Sequence, residues 1–147
     1  MPLSLNLSTH AIRYNSRYDS ICAQLAPASA HFHIPPIDER VRPVCDSLQI
    51  NLRGMDAEQI DSFLANSKRR GLPVGLFGSK DNARNFRNWK YSPIATDVPF
   101  TEELIAAAID VRLPLSFEMS EISQIGAVLL AALDDTMGDG CSKGASK

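Results

Sequence analysis

The residues able to do chemistry in this chain of 147 residues are few, and the densest group is the stretch GSKDNARNFRNWKYSP, Gly78 to Pro93. Lys80, Arg84, Arg87 and Lys90 stand within eleven residues, interleaved with Asn82, Asn85, Asn88, Phe86 and Trp89. A helix here would place Lys80, Arg84 and Arg87 on one face, at i, i+4 and i+7. Like charges so spaced repel mildly, and a nearby anion relieves them. Arginine offers a planar fork that matches a carboxylate or phosphate, and Trp89 and Tyr91 offer flat faces for a ring. The plainer reading is a solvated surface whose cations pair with acids elsewhere.

Arg112 is the second candidate. It lies in DVRLPLSF between Val111 and Leu113. A strand that buries those two neighbours turns Arg112 to the opposite face, where it needs a partner or open solvent. An ion pair with Asp110 or Glu118 satisfies it, and so does a ligand carboxylate or phosphate.

Other groups carry less. His31 and His33 share a face of a short strand, but two ligands do not make a metal site. Cys45 has no basic neighbour and reads as a small buried thiol. Asp38-Glu39 and Asp134-Asp135 read as solvated ends of elements. The chain has no G-x-G-x-x-G, no Gly-rich loop ending in Lys-Ser/Thr, no H-E-x-x-H and no G-x-S-x-G.

Composition narrows the classes. The net charge is -2, so no global field draws nucleic acid, and only the basic stretch offers a local patch. Three cysteines, widely spaced and with no C-x-x-C, fit a reducing cytoplasm better than a disulfide framework. No apolar run approaches the roughly 18 residues that span a bilayer, and MPLSLNLSTH lacks the pattern of a signal peptide. These points predict a cytoplasmic protein that binds neither nucleic acid nor membrane.

The elements that must position the candidates follow from periodicity. Tyr14, Tyr18, Ile21, Cys22 and Leu25 recur at helical spacing after Thr9, and Pro27 ends the pattern. HFHIPP (31–36) and VCDSLQINL (44–52) alternate as strands. Asp56 and Gln59 predict a capping box for a helix to Arg70. Met55 can staple onto Ile60, and Gly71 supplies the C-terminal cap. LPVGLF (72–77) reads as a strand, TEELIAAAID (101–110) as a helix capped by Thr101, and VRLPLSF (111–117) as a strand bent at Pro114. A last helix begins at Ser120. The order predicts an α+β fold: a two-layer sandwich with a small, mainly antiparallel sheet, helices on one face and an N-terminal helix. The domain is expected over residues 9–137, with a loose arm at 1–8 and a flexible tail at 138–147.

The span from DAEQIDSFLANSKRRGLPVGLF through the basic loop to PFTEELIAAAIDVRLPLSFEMSEISQIGAVLLAAL resembles the C-terminal small domain of DegT/StrS-type aminotransferases. The likeness lies in the order of elements. A helix (Asp56–Arg70), a strand (Leu72–Phe77), a variable loop, a helix opening T-E-E-L, an LPL strand and a final helix succeed one another. The helix from Thr9 to Leu25 resembles the one that leaves the large domain in such enzymes.

The resemblance implies a pyridoxal-phosphate enzyme of fold type I acting on nucleotide-linked keto-sugars. Its cofactor machinery belongs to a large domain that this chain does not contain. None of Lys68, Lys80, Lys90, Lys143 and Lys147 matches the Schiff-base lysine, so the chain alone is expected to hold no cofactor and to be inactive. By the same resemblance the small domain supplies substrate contacts, for which the candidates are Arg112 and Arg84, then Lys80, Asn82 and Trp89. The implied ligand is an anionic small molecule, and the implied partners are a large-domain chain or further copies of this one. The alternative is a stand-alone module that binds an anionic metabolite or a partner protein.

Overall fold

Alternation decides which face of the sheet is buried. In the computed structural model, which describes residues 7–41, 43–90 and 98–142, strand β2 (Ser47–Leu52) turns Leu48, Ile50 and Leu52 into the core. Gln49 and Asn51 face the other way. Strand β4 (Ala108–Arg112) repeats the pattern with Ile109 and Val111 inward, and Leu113 beyond it is also buried. The short strands β1 (Phe32–His33) and β3 (Gly75–Leu76) flank this pair, giving the order β1-β2-β4-β3 with every pairing antiparallel.

Three helices, α1 (Leu7–Leu25), α2 (Ala57–Arg69) and α4 (Met119–Ser142), cover the apolar face. Ile21 and Leu25 from α1, Ile60 and Phe63 from α2, and Ile122, Ile125 and Leu129 from α4 meet the strand residues in one core. Phe63 is fully buried and stands edge-on to Phe32, with ring centroids 5.7 Å apart. Burying each such side chain stabilises the fold by roughly 1.5–3 kcal/mol. Helix α3 (Pro99–Ala107) sits at the margin of the sheet, where the Asn51 side chain donates to the Leu104 carbonyl. The fold is thus the α+β sandwich with an N-terminal helix that the sequence predicts.

The caps of α2 form as expected. Asp56 accepts from Gln59 N–H, and the Gln59 side chain accepts from Asp56 N–H. At the other end Gly71 takes φ 89°, a left-handed conformation that glycine adopts without strain. Its N–H bonds the Lys68 carbonyl and Leu72 N–H bonds the Ser67 carbonyl, which closes the helix as a Schellman motif.

Several boundaries differ from the sequence reading. The 31–36 and 72–77 runs contribute only two paired residues each, because prolines at 35, 36 and 73 cannot donate to a sheet. Strand β2 begins at Ser47, so Val44 lies outside the alternation and is exposed. Helix α3 starts at Pro99, whose fixed φ suits a first helical position, and Thr101 lies inside the first turn rather than capping it. Ser120 likewise lies inside α4. There the Glu118 N–H is taken by the Glu121 carboxylate, and Glu118 O accepts from Glu121 and Ile122. Leu7 and Ser8 are helical rather than part of an arm, and α4 continues through Gly138 to Ser142. Residues 1–6, Tyr91, Pro93 and residues 143–147 lie outside the described residues.

One arginine holds the helical layer to the loop after β4. Arg17 is buried and donates to the carbonyls of Arg13, Leu115 and Phe117, the last at 2.7 Å. Arg13 adds a bond to Leu115 O. Carbonyl oxygens, rather than a carboxylate, solvate this buried charge.

Candidate functional site

The segment after β3 is not a helix. It winds through turns and a single 3-10 turn at Phe86–Asn88. Its regularity comes from the asparagines, which recur every third residue. Asn82 N–H bonds Ser79 O, Asn85 N–H bonds Asn82 O, and Asn88 N–H bonds Asn85 O, at 2.9–3.1 Å. The side chains repeat the pattern. Asn82 Oδ1 accepts from Arg84 N–H and Asn85 Oδ1 from Arg87 N–H, each an Asx turn. The amide groups reach backwards: Asn82 Nδ2 to Leu76 O, Asn85 Nδ2 to Gly78 O and Ser79 O, and Asn88 Nδ2 to Lys80 O and Asn82 O. Asn85 is buried at the centre of this ladder. Three stacked turns replace the helix, so Lys80, Arg84 and Arg87 do not form the i, i+4, i+7 face.

Gly78 joins the ladder to α3. Its N–H donates to Ile105 O at 2.8 Å, and a Cβ there would stand 2.9 Å from that same oxygen. Only a residue without a side chain allows this approach.

The ladder delivers Arg84 to the polar face of the sheet. Arg84 Nη1 lies 2.7 Å from Asp110 Oδ2, and its guanidinium sits 5.5 Å from the centroid of the Phe77 ring. Arg112, exposed on the same face, donates from Nη1 to Asp46 Oδ2 at 2.9 Å and places Nε 3.6 Å from Asp110 Oδ2. Leu113 N–H bonds Asp46 O, which keeps Asp46 opposite the end of β4. Two guanidinium groups therefore converge on one carboxylate oxygen. Asp110 is largely buried, and its Oδ1 has no hydrogen-bond partner among the described residues. Its neighbours across the two ladders are Gln49 and Gly75, and the glycine has no side chain to fill the space on its side.

These groups border a cleft of about 450 Å³. Asn82, Arg84, Asp110 and Arg112 form its polar side, and Val74 and Phe117 belong to its apolar side. Of the five candidate contacts, Arg84, Arg112 and Asn82 come together here. Trp89 does not: its indole N–H is spent on Ala83 O at 3.0 Å, and half of the residue is exposed. Lys80 points to solvent, and among the described residues its ammonium has no carboxylate partner. Arg87 stacks on Phe86 and pairs with Glu102 of α3.

The sequence reading missed Asp46 as the partner of Arg112 and the asparagines as scaffold. The three-residue spacing of Asn82, Asn85 and Asn88 was the available signal. Asp46 could be found only through the register that sets Ser47 opposite Arg112.

A second group lies under α1. Tyr18 and Cys45 border a smaller cleft of about 320 Å³. Burial, followed by the adjacent Cys22 thiol, pushes the Tyr18 hydroxyl up to about 12. Burial also raises the Cys22 and Cys45 thiols, which keeps both protonated at neutral pH and unsuited to nucleophilic attack. Among the described residues no cluster of His, Cys, Asp and Glu could hold a metal ion. None of their helices is long and apolar enough to cross a membrane.

Comparison with protein-family models gives no match, and a search of curated proteins gives none either.

Proposed function

We propose that this chain is the substrate-contacting small domain of a DegT/StrS-like, pyridoxal-phosphate-dependent aminotransferase, and that it is inactive alone. The observation that carries this reading is the convergence of Arg84 and Arg112 on Asp110 Oδ2 at the border of a cleft. A paired guanidinium site suits a substrate carboxylate or the phosphates of a nucleotide sugar.

The cluster is electrically balanced as it stands, with two guanidinium groups and the carboxylates of Asp46 and Asp110. An incoming anion must therefore replace one carboxylate. Asp46 is the one to yield, because its pair with Arg112 is more than half exposed on both sides. Such a pair contributes only about 0–1 kcal/mol. Asp110, only 12% exposed, stays and fixes Arg84.

The described lysines do not suit the Schiff base of pyridoxal phosphate. A cofactor-bearing lysine needs a desolvated pocket, whereas Lys68, Lys80 and Lys90 are exposed. In this reading these residues bind and orient substrate, and the large domain of such an enzyme supplies the cofactor and its chemistry.

Reconstitution tests the proposal. The chain is mixed with the large domain of a DegT/StrS aminotransferase from which the small domain has been removed. Transamination of a nucleotide-linked keto-sugar is expected to return, and to fall at least about tenfold with Arg112→Ala, the loss of roughly 1.4 kcal/mol of charged contact. Turnover by this chain alone, or recovery indifferent to both Arg84→Ala and Arg112→Ala, overturns it.

A further inference from the structure

A second groove, among the described residues, lies away from the arginine cleft. It measures about 720 Å³ and runs between α3 on one wall and the start of α2 with its preceding turn on the other. Met55 and Ile60 contribute apolar surface on the α2 side. On the α3 wall Phe100 is 86% exposed and Leu104 is 58% exposed. An unpaired phenylalanine beside an apolar groove is unfavourable in water and marks a contact surface.

One cation and one acid face each other across the groove, with a second acid, Asp61, on the α2 wall. Arg53 stands on the α2 side and Glu103 on the α3 side. Both are exposed, and among the described residues neither has an ion-pair partner. Knob, hole, cation and anion thus occur together on one patch, which is the condition for an isologous contact. A two-fold axis through the groove sets the α3 wall of one copy against the α2 wall of the other. Phe100 then enters the partner's groove beside Met55 and Ile60, and Arg53 meets Glu103 twice.

We infer that this groove is the interface of a homodimer of the chain. Asp61, on the α2 side, is the groove charge left without an opposite by this arrangement.

Sedimentation equilibrium over the micromolar-to-millimolar range tests it. The weight-average mass is expected to rise toward twice the 16.1 kDa monomer. Phe100→Asp is expected to weaken the dimer at least about tenfold, and its exposure protects the fold, which circular dichroism checks. Arg53→Glu weakens association by like-charge repulsion, and the exchange Arg53→Glu with Glu103→Arg restores it. Asp61→Asn tightens it. A monomer at every concentration overturns the inference. So does a dimer indifferent to Phe100→Asp, or an exchange variant that stays as weak as Arg53→Glu.

Discussion

Replacing Asn85 tests whether the turn ladder, rather than charge, shapes the segment that carries Arg84. The Asn85 side chain makes three hydrogen bonds, to Gly78 O, Ser79 O and Arg87 N–H. Asn85→Ala removes all three, but their costs differ. Ser79 O keeps the Asn82 N–H, and Arg87 lies where water can serve its N–H. Gly78 O has no other protein donor among the described residues, so it bears the main loss. Leaving this half-buried carbonyl without its donor costs about 1–3 kcal/mol, and two bonds exchanged for water add a few tenths each. The expected destabilisation is about 2 kcal/mol. Asn85→Asp keeps the acceptor for Arg87 but turns a carboxylate oxygen toward two carbonyls. It is expected to be worse than alanine, despite the nearly equal shape. Urea unfolding gives the stabilities, and amide hydrogen exchange at Asn85 and Asn88 shows whether the turns open locally. A loss below about 0.5 kcal/mol for alanine, or an aspartate variant as stable as the native protein, refutes the reasoning.

Other perturbations follow from single contacts. Gly78→Ala sets a methyl group against Ile105 O and is expected to destabilise by about 1–3 kcal/mol in urea unfolding. Arg17→Met keeps much of the volume but strips Phe117 O of its donor, with an expected loss of about 1–3 kcal/mol in the same assay. The Tyr18 hydroxyl has a folded pKa raised from 10.0 to about 12, so the stability it contributes is complete below pH 10. It is lost as pH rises through 12. The urea midpoint should therefore fall across that window, and Tyr18→Phe should reduce the fall.

The sequence disclosed the parts of the fold that rest on local chemistry. The capping box of Asp56 and Gln59, the Gly71 cap and the inward face of β2 follow from residue type and spacing, whereas residues 108–110, which read as the end of a helix, form most of β4. The side of the sheet that Arg112 takes was legible for the same reason: Val111 and Leu113 bury themselves. What stayed hidden depends on pairing between distant segments. Asp46 meets Arg112 only because β2 and β4 align antiparallel in one register. The basic stretch misled because its cations fit a helical period, whereas its backbone follows the asparagine period of three. Side-chain amides satisfied the backbone locally and displaced the helix. Prolines cut two predicted strands to short pairs.

The most direct test of the central claim is whether Arg84 and Arg112 form an anion site. Titration of the isotopically labelled chain with glutamate and with a nucleotide sugar, followed by amide NMR, measures this. Shifts are expected to centre on residues 82–84, 110–112 and the segment around Asp46, and to be absent from the Arg84→Ala/Arg112→Ala double variant. A spectrum unmoved by either ligand, or shifts that persist in the double variant, would contradict it.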